Sequence, residues 1–142
     1  MKLIQAIKEK KRLTADIQVI KQRIQRNNQI SEGDARDYEI QPLLEELINK
    51  TKELIELKLK IQTANLGIYP KIFEMAEIKG EISFLNSIPC KTGKEISGYN
   101  DKEIVYISTI NRKELDKTIS EKTKQIRQLQ DEIDIYNHTT EV

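Results

Sequence analysis

Residues 2–28 read KLIQAIKEKKRLTADIQVIKQRIQRNN, and the spacing of their apolar side chains decides the class of fold. Positions that are mostly apolar recur at alternating steps of three and four residues, which keeps them on one side of an α-helix. These seam positions are Leu3, Ala6, Lys10, Leu13, Ile17, Ile20, Ile24 and Asn27. The spacing predicts one long helix over residues 2–28, with a seam like that of a coiled coil.

A second long helix with two apolar stripes is predicted over residues 42–65. Residues 31–41 contain Gly33 and show no period, so we expect a loop there, and Pro42 suits the first turn of the next helix. The seam recurs at Leu43, Leu47, Lys50, Leu54, Leu57, Ile61 and Ala64. A further stripe is formed by Leu44, Ile48, Ile55 and Leu59. A helix that is apolar on two stripes is expected to pack against more than one neighbour.

The middle of the chain predicts a shorter helix and a strand. A Tyr-Pro pair at residues 69–70 breaks the helical pattern, so a third helix is expected over residues 70–88. Residues 103–110 are rich in β-branched and aromatic side chains and predict a strand, whereas residues 90–102 are expected to form a loop. The strand needs a partner for its backbone groups, and residues 66–69 or another subunit are the two candidates.

The last helix is predicted over residues 111–137. Asn111 followed by Glu114 is a helix-start signal, because the Asn side chain accepts a hydrogen bond from the first turn. The seam of this helix covers about 25 residues and spans roughly 38 Å. That is more than a compact chain of this size needs, which favours a homo-oligomer. We therefore expect a single domain, residues 1–142, that is mainly α: long antiparallel helices with coiled-coil-like seams plus one short β-strand or ribbon.

The composition excludes several classes of protein. The chain has 33% charged residues, no Trp, five Gly and three Pro, which does not fit a many-stranded sandwich or barrel. The formal net charge of +1 gives no strong field for nucleic acid or anionic lipid, so neither is an expected partner. Basic residues dominate the first thirty positions and acidic residues dominate residues 32–46. We expect the two segments to neutralise each other, with a nucleic-acid groove as the alternative.

Few residues offer catalytic or metal-binding chemistry. His138 is the only His and Cys90 the only Cys, so no zinc motif, disulfide or Cys-His pair is expected. No glycine-rich phosphate loop is present either. We predict a non-catalytic protein without cofactor or metal. The unpaired Cys90, the lack of an apolar leader in residues 1–6 and the lack of about 20 consecutive apolar residues favour a soluble cytoplasmic protein.

The chain resembles a known family along most of its length, through Met1-Lys2-Leu3, through Ile61 with Asn65 and above all through its last third. Residues 99–110, the amphipathic helix after them and the closing Asn137-His138-Thr139-Thr140-Glu141-Val142 resemble the septicolysin-like family of small helical bacterial proteins of unsettled function. The family has Trp where His138 stands, and Arg and Lys where Asp101 and Val105 stand. The resemblance implies a helical protomer assembled into a ring or higher oligomer. The cytolysin activity in the family name finds no support, because the sequence has no membrane element.

Two functions of different classes follow. The first is non-catalytic capture of a small polar or nucleotide-like ligand at a site between subunits, as in phage proteins with an anti-defence role that sequester immune signals. Its predicted ligand-binding residues are polar or aromatic and lie outside the seams: Asn65, Tyr69, Tyr99, Asn100, Tyr106, Thr109, Asn137, His138 and Thr139. The second is a structural coiled-coil adaptor that binds another protein. The closing residues also suit a hydrogen-bonded cap on the last helix.

Overall fold

A computed structural model describes residues 1–98 and 102–142 of the chain. In chain order the elements are α1 (Leu3–Asn27), α2 (Ile40–Asn65), α3 (Tyr69–Ser87), β1 (Gly93–Ser97), β2 (Lys102–Tyr106) and α4 (Arg112–Thr139). The mainly α fold class with a small ribbon is confirmed. Every helix begins and ends within two residues of its predicted bounds, and Pro42 lies in the first turn of α2. The chain divides into two compact units, residues 1–67 with 135–142 (the first unit) and residues 68–134 (the second unit).

The first unit is built on the antiparallel pair α1 and α2. The predicted seam of α1 is confirmed, since its buried side chains are Leu3, Ala6, Leu13, Ile17 and Ile20. At one end Leu3, Ala6 and Ile61 form a buried apolar cluster, against which Tyr136 and Val142 pack. Further along, Lys50 of α2 lies 4.0 Å from the carboxylate of Asp16, so a polar seam residue finds its partner within this helix pair. The steps of three and four residues along α1 thus place its apolar side chains in one core.

The two ends of the chain are joined beside this cluster. The amide of Leu3 donates to the carbonyl of Thr140 at 2.8 Å, and the amide of Val142 donates to the carbonyl of Met1 at 2.9 Å. The Glu141 carboxylate contacts the side chain of Lys2 and lies 3.3 Å from the N-terminal ammonium. The hydrogen bond from Lys2 and the second from the N-terminus lower the pKa of Glu141. Backbone pairing and charge together hold Val142 on the core.

The second unit packs α3 antiparallel to the first part of α4. Lys71 pairs with Glu132 at 2.9 Å, and the side chains of Lys122 and Glu81 are also in contact. The buried side chains of this unit are Ile68, Ile78, Leu115, Leu129 and Ile133. The predicted start of the last helix is confirmed, because the amide of Glu114 donates to Oδ1 of Asn111 at 2.8 Å.

The strand prediction needs two corrections. The strand is Lys102–Tyr106, so it ends four residues before the predicted end at Ile110. Its partner is Gly93–Ser97, which lies in the segment expected to be a loop, and not residues 66–69. The antiparallel register places Gly93 opposite Tyr106 and Ser97 opposite Lys102. Two strands joined by a short connection close a hairpin locally, which costs less chain entropy than pairing with a distant segment.

Candidate interaction surface

Four of the predicted ligand-binding residues lie in the first unit, at the ends of two helices. Asn65 is the last residue of α2, and Asn137, His138 and Thr139 are the last residues of α4. The hydroxyl of Thr139 donates to the carbonyl of Ile135 at 2.8 Å, while the carbonyl of Thr139 accepts from Nζ of Lys2 at 3.3 Å. The α4 helix continues two residues beyond Asn137. Thr139 therefore closes the helix and ties it to the start of the chain.

Three further residues of the predicted set lie in the second unit. Tyr69 stacks on Phe73, with ring centroids 5.6 Å apart and an angle of 8° between the ring planes. Tyr106 ends β2, and Nζ of Lys91 lies 5.1 Å from the centre of its ring. Thr109 is exposed in the segment after β2. The remaining two, Tyr99 and Asn100, lie outside the described residues.

The predicted residues do not line the clefts seen in the described part of the chain. Five clefts with volumes from 210 to 430 Å³ are lined by other side chains. The largest lies at the end of α1, where the Arg23 guanidinium sits 4.9 Å above the centre of the Tyr38 ring. Nearby, Arg36 donates to the carbonyls of Asn27 and Asn28 at 3.2 and 3.1 Å. Arg36 thus binds the last carbonyls of α1, where the helix dipole favours a positive charge.

A row of exposed apolar side chains in the first unit is formed by the second stripe of α2. Leu44, Ile48, Ile55 and Leu59 are 36%, 53%, 61% and 67% exposed. Sequence periodicity predicted this stripe, which we now call the α2 stripe. The expectation that another part of the protein packs on it is not met in the first unit, since all four side chains face solvent.

The α2 stripe runs almost straight along the helix. Leu44 and Ile55 are eleven residues apart, as are Ile48 and Leu59, which corresponds to about 3.67 residues per turn. This value is so close to the 3.6 of an α-helix that the four side chains stay within an arc of about 60°. A straight row of this kind can be covered along its whole length by one further helix.

An apolar cleft lies at one end of the α2 stripe. Its volume is 370 Å³, and its lining comprises Leu59, Lys60, Thr63, Ala64, Glu141 and Val142. Leu59 belongs both to the stripe and to the cleft. The pairing of the chain ends places Val142 here, so the cleft depends on residues from both ends of the sequence. Leu59 thus connects the stripe to the cleft.

The second unit also exposes large apolar side chains. Phe73 and Phe84 lie on α3, again eleven residues apart, and both are more than 60% exposed. Val105 pairs with Lys94, and Ile96 pairs with Glu103. Because Lys94 and Ile96 are two residues apart on one strand, Val105 and Ile96 lie on the same face of the ribbon. Sequence analysis missed the exposure of these residues, although the eleven-residue spacing of the two Phe is a visible signal.

Comparison with known proteins places the chain in a family. A family model matches residues 10–142, which is nearly the whole chain. The chain belongs to DUF6847, a family of unknown function. No curated protein and no solved structure matches it.

The remaining features of this DUF6847 protein concern metal ligands, its single cysteine and its helices. Within residues 1–98 and 102–142, no three side chains of His, Cys, Asp or Glu come together in a group that could hold a metal ion. Cys90 is half-buried, and its thiol donates to the carbonyl of Ile88 at 3.5 Å. Among the described helices, none combines the length and apolar character that crossing a bilayer requires.

Proposed function

We propose that this protein is a non-catalytic helical adaptor that works by protein–protein association, with the α2 stripe as its binding face. The observation that carries the proposal is the straight row of four large aliphatic side chains that remain 36–67% exposed. Single exposed apolar side chains are normal on a protein surface, whereas contiguous rows mark interaction sites. An amphipathic helix of a partner is the chemical class that fits such a row.

The free energy expected from burying the α2 stripe supports the proposal. Fully burying one Leu or Ile side chain contributes about 1.5–3 kcal/mol relative to leaving it exposed. The four side chains of the stripe are roughly half exposed, so covering them contributes about 3–6 kcal/mol from this face alone. A partner with a similar apolar face contributes a similar amount, so the two faces together give about 6–12 kcal/mol. This gain is comparable with the cost of about 4–15 kcal/mol for the translational and rotational freedom lost on association.

The charged groups of the described residues also fit a binding role better than a catalytic one. Glu9, Glu132 and Glu141 lie at the surface, and the pKa of each is lowered chiefly by a hydrogen bond from a neighbouring basic side chain. No described polar or charged side chain is buried. Catalytic groups commonly have a pKa shifted by burial in a cleft, whereas these three shifts come from pairs at the surface.

Photo-crosslinking in the native host cells tests the proposal. A photoreactive residue at Ile55 should form a covalent adduct of defined mass with whatever protein covers the stripe. The matched control is Ile135, which is also an isoleucine on a helix and is 63% exposed, against 61% for Ile55. Adduct formation at Ile55 but not at Ile135 is the expected result. Equal capture at both positions, or none at Ile55, would contradict the proposed function.

Capture of a small polar or nucleotide ligand is the second candidate function. The observation that favours it is the stack of Tyr69 on the exposed ring of Phe73, because parallel aromatic rings offer a platform for a nucleobase. Calorimetry against a panel of nucleotides should then give a heat of binding that Tyr69→Ala removes. Phe84→Ala, a change of an exposed Phe on the same helix, should leave the heat unchanged. Absence of heat with every nucleotide would contradict this candidate.

A further inference from the structure

We infer that the partner on the α2 stripe is a second copy of this chain, lying antiparallel to the first across a two-fold axis between Thr51 and Lys52. The inference rests on the proposed function, because it takes the stripe to be a protein-binding face. It adds the identity of the partner and the geometry of the complex.

The order of side chains along the stripe is palindromic. Reading from either end gives Leu, Ile, Ile, Leu, and the midpoint of the row falls between Thr51 and Lys52. A two-fold axis through this midpoint places Leu44 opposite Leu59 of the partner subunit and Ile48 opposite Ile55 of the partner subunit. An interface between identical chains must be complementary to itself under this rotation. The stripe meets that condition with large aliphatic side chains at all four positions.

Charge distribution along α2 favours the antiparallel direction over the parallel one. The first ten residues of the helix contain Glu45 and Glu46 and no Lys or Arg. Its last nine residues contain Lys58 and Lys60 and no Asp or Glu. A parallel pair would place like charges side by side and align the two helix dipoles. The antiparallel pair brings the acidic start of each helix beside the basic end of the other, and the dipoles oppose each other.

Steric features at the axis and at the ends of the stripe agree with this geometry. Thr51 is small, and its hydroxyl donates to the carbonyl of Leu47 in its own helix at 2.7 Å, so it needs no partner across the interface. At the far end, the 370 Å³ cleft begins at Leu59, where Leu44 of the partner subunit would lie. Each copy thus offers a projecting Leu and an apolar cleft to the other. The straight run of the stripe lets both helices stay in contact along their length.

Disulfide crosslinking in a Cys90→Ser background tests the inference. Thr51→Cys should form a disulfide-linked dimer on mild oxidation, because the two-fold axis brings the two copies of this position together. Leu44→Cys and Leu59→Cys should not crosslink alone but should crosslink when mixed. The matched control is Thr118→Cys, an exposed Thr on α4 whose hydroxyl also donates within its own helix, to the carbonyl of Glu114. It should form no disulfide-linked dimer on oxidation.

Light scattering gives an independent measure of the same association. The wild-type chain at micromolar concentration should have at least twice the protomer mass of 16.6 kDa. Ile48→Glu should return it to one protomer without loss of helical content. Strong self-crosslinking at Leu44→Cys and Leu59→Cys would indicate a parallel pair and overturn the inferred geometry.

The outcomes separate this inference from the proposed function. A monomeric mass, no crosslink at Thr51→Cys and capture of a different protein at Ile55 would overturn the self-association and leave the adaptor function standing. A monomeric mass with no capture at Ile55 would overturn both. A dimer that Ile48→Glu does not dissociate would place the interface elsewhere and overturn the inference.

Discussion

Replacing Leu3 by alanine is expected to lower the free energy of unfolding by about 2–5 kcal/mol, the usual cost of removing a buried Leu side chain. Leu3 is fully buried, in contact with the cluster that contains Ala6 and Ile61. Residues this close to a chain end are commonly tolerant of change. Leu3 differs because its backbone amide donates to the carbonyl of Thr140. This hydrogen bond holds the last residues of the chain against the cluster.

Urea denaturation followed by circular dichroism measures the effect, since the slope of the transition shows whether the two-state analysis holds. Val19→Ala is the control, because Val19 lies on the same helix and is 43% exposed. It should change the free energy of unfolding by less than about 1 kcal/mol. If the two variants unfold at the same urea concentration, the pairing of the chain ends does not contribute a core to the folded protein.

The helices could be predicted from the sequence because their cores follow a simple period. Steps of three and four residues in residues 2–28 point to one side of a helix, and Leu13 and Ile17 are buried on that side. Helix ends were marked by local chemistry, such as the Asn111 side chain that accepts from the amide of Glu114. Both signals depend on residues close together in the sequence, so they can be recognised without knowledge of the rest of the fold.

The ribbon could be predicted only in part. β2 contains Ile104, Val105 and Tyr106 and was visible from composition. β1 reads GKEIS, with a single large apolar side chain, and its strand geometry comes from pairing with β2. Gly93 and Gly98 have positive φ angles, 106° and 70°, at the start of β1 and just after its end. Glycine adopts such angles without strain, but the composition alone does not reveal that the strand begins and ends there. A strand without a buried face leaves no alternating pattern in the sequence.

The candidate site shows a different limit of sequence reasoning. Periodicity identified the α2 stripe as apolar, but it cannot say whether the neighbour that covers a stripe belongs to the same chain. The predicted ligand-binding residues were grouped by polarity, and the structure assigns Asn137 and Asn65 to one compact unit and Tyr69 and Tyr106 to the other. Ligand capture by that set remains a prediction for the calorimetric test.

The second large effect concerns two glycines whose replacement by alanine should have opposite signs. A Cβ atom at Gly67 would lie 2.6 Å from Oη of Tyr136, which is too close for any unstrained contact. That hydroxyl donates to the carbonyl of Ala64 at 2.8 Å, and the ring packs on the Leu3 cluster. Gly67→Ala must therefore displace the ring and break the hydrogen bond, at a cost of about 1–3 kcal/mol.

Gly80 provides the matched comparison, because it lies within α3 and an added Cβ there meets no atom within 4 Å. Gly80→Ala should raise the free energy of unfolding by about 0.4–1 kcal/mol, since alanine loses less backbone entropy in a helix. Tyr136→Phe removes the clashing oxygen and leaves the nearest ring carbon at 3.4 Å, so Gly67→Ala should cost much less in that background. Urea denaturation of the wild type, Gly67→Ala, Tyr136→Phe and the double variant measures this coupling. Equal costs of Gly67→Ala with Tyr or Phe at position 136 would show that the close approach to Tyr136 does not require glycine there.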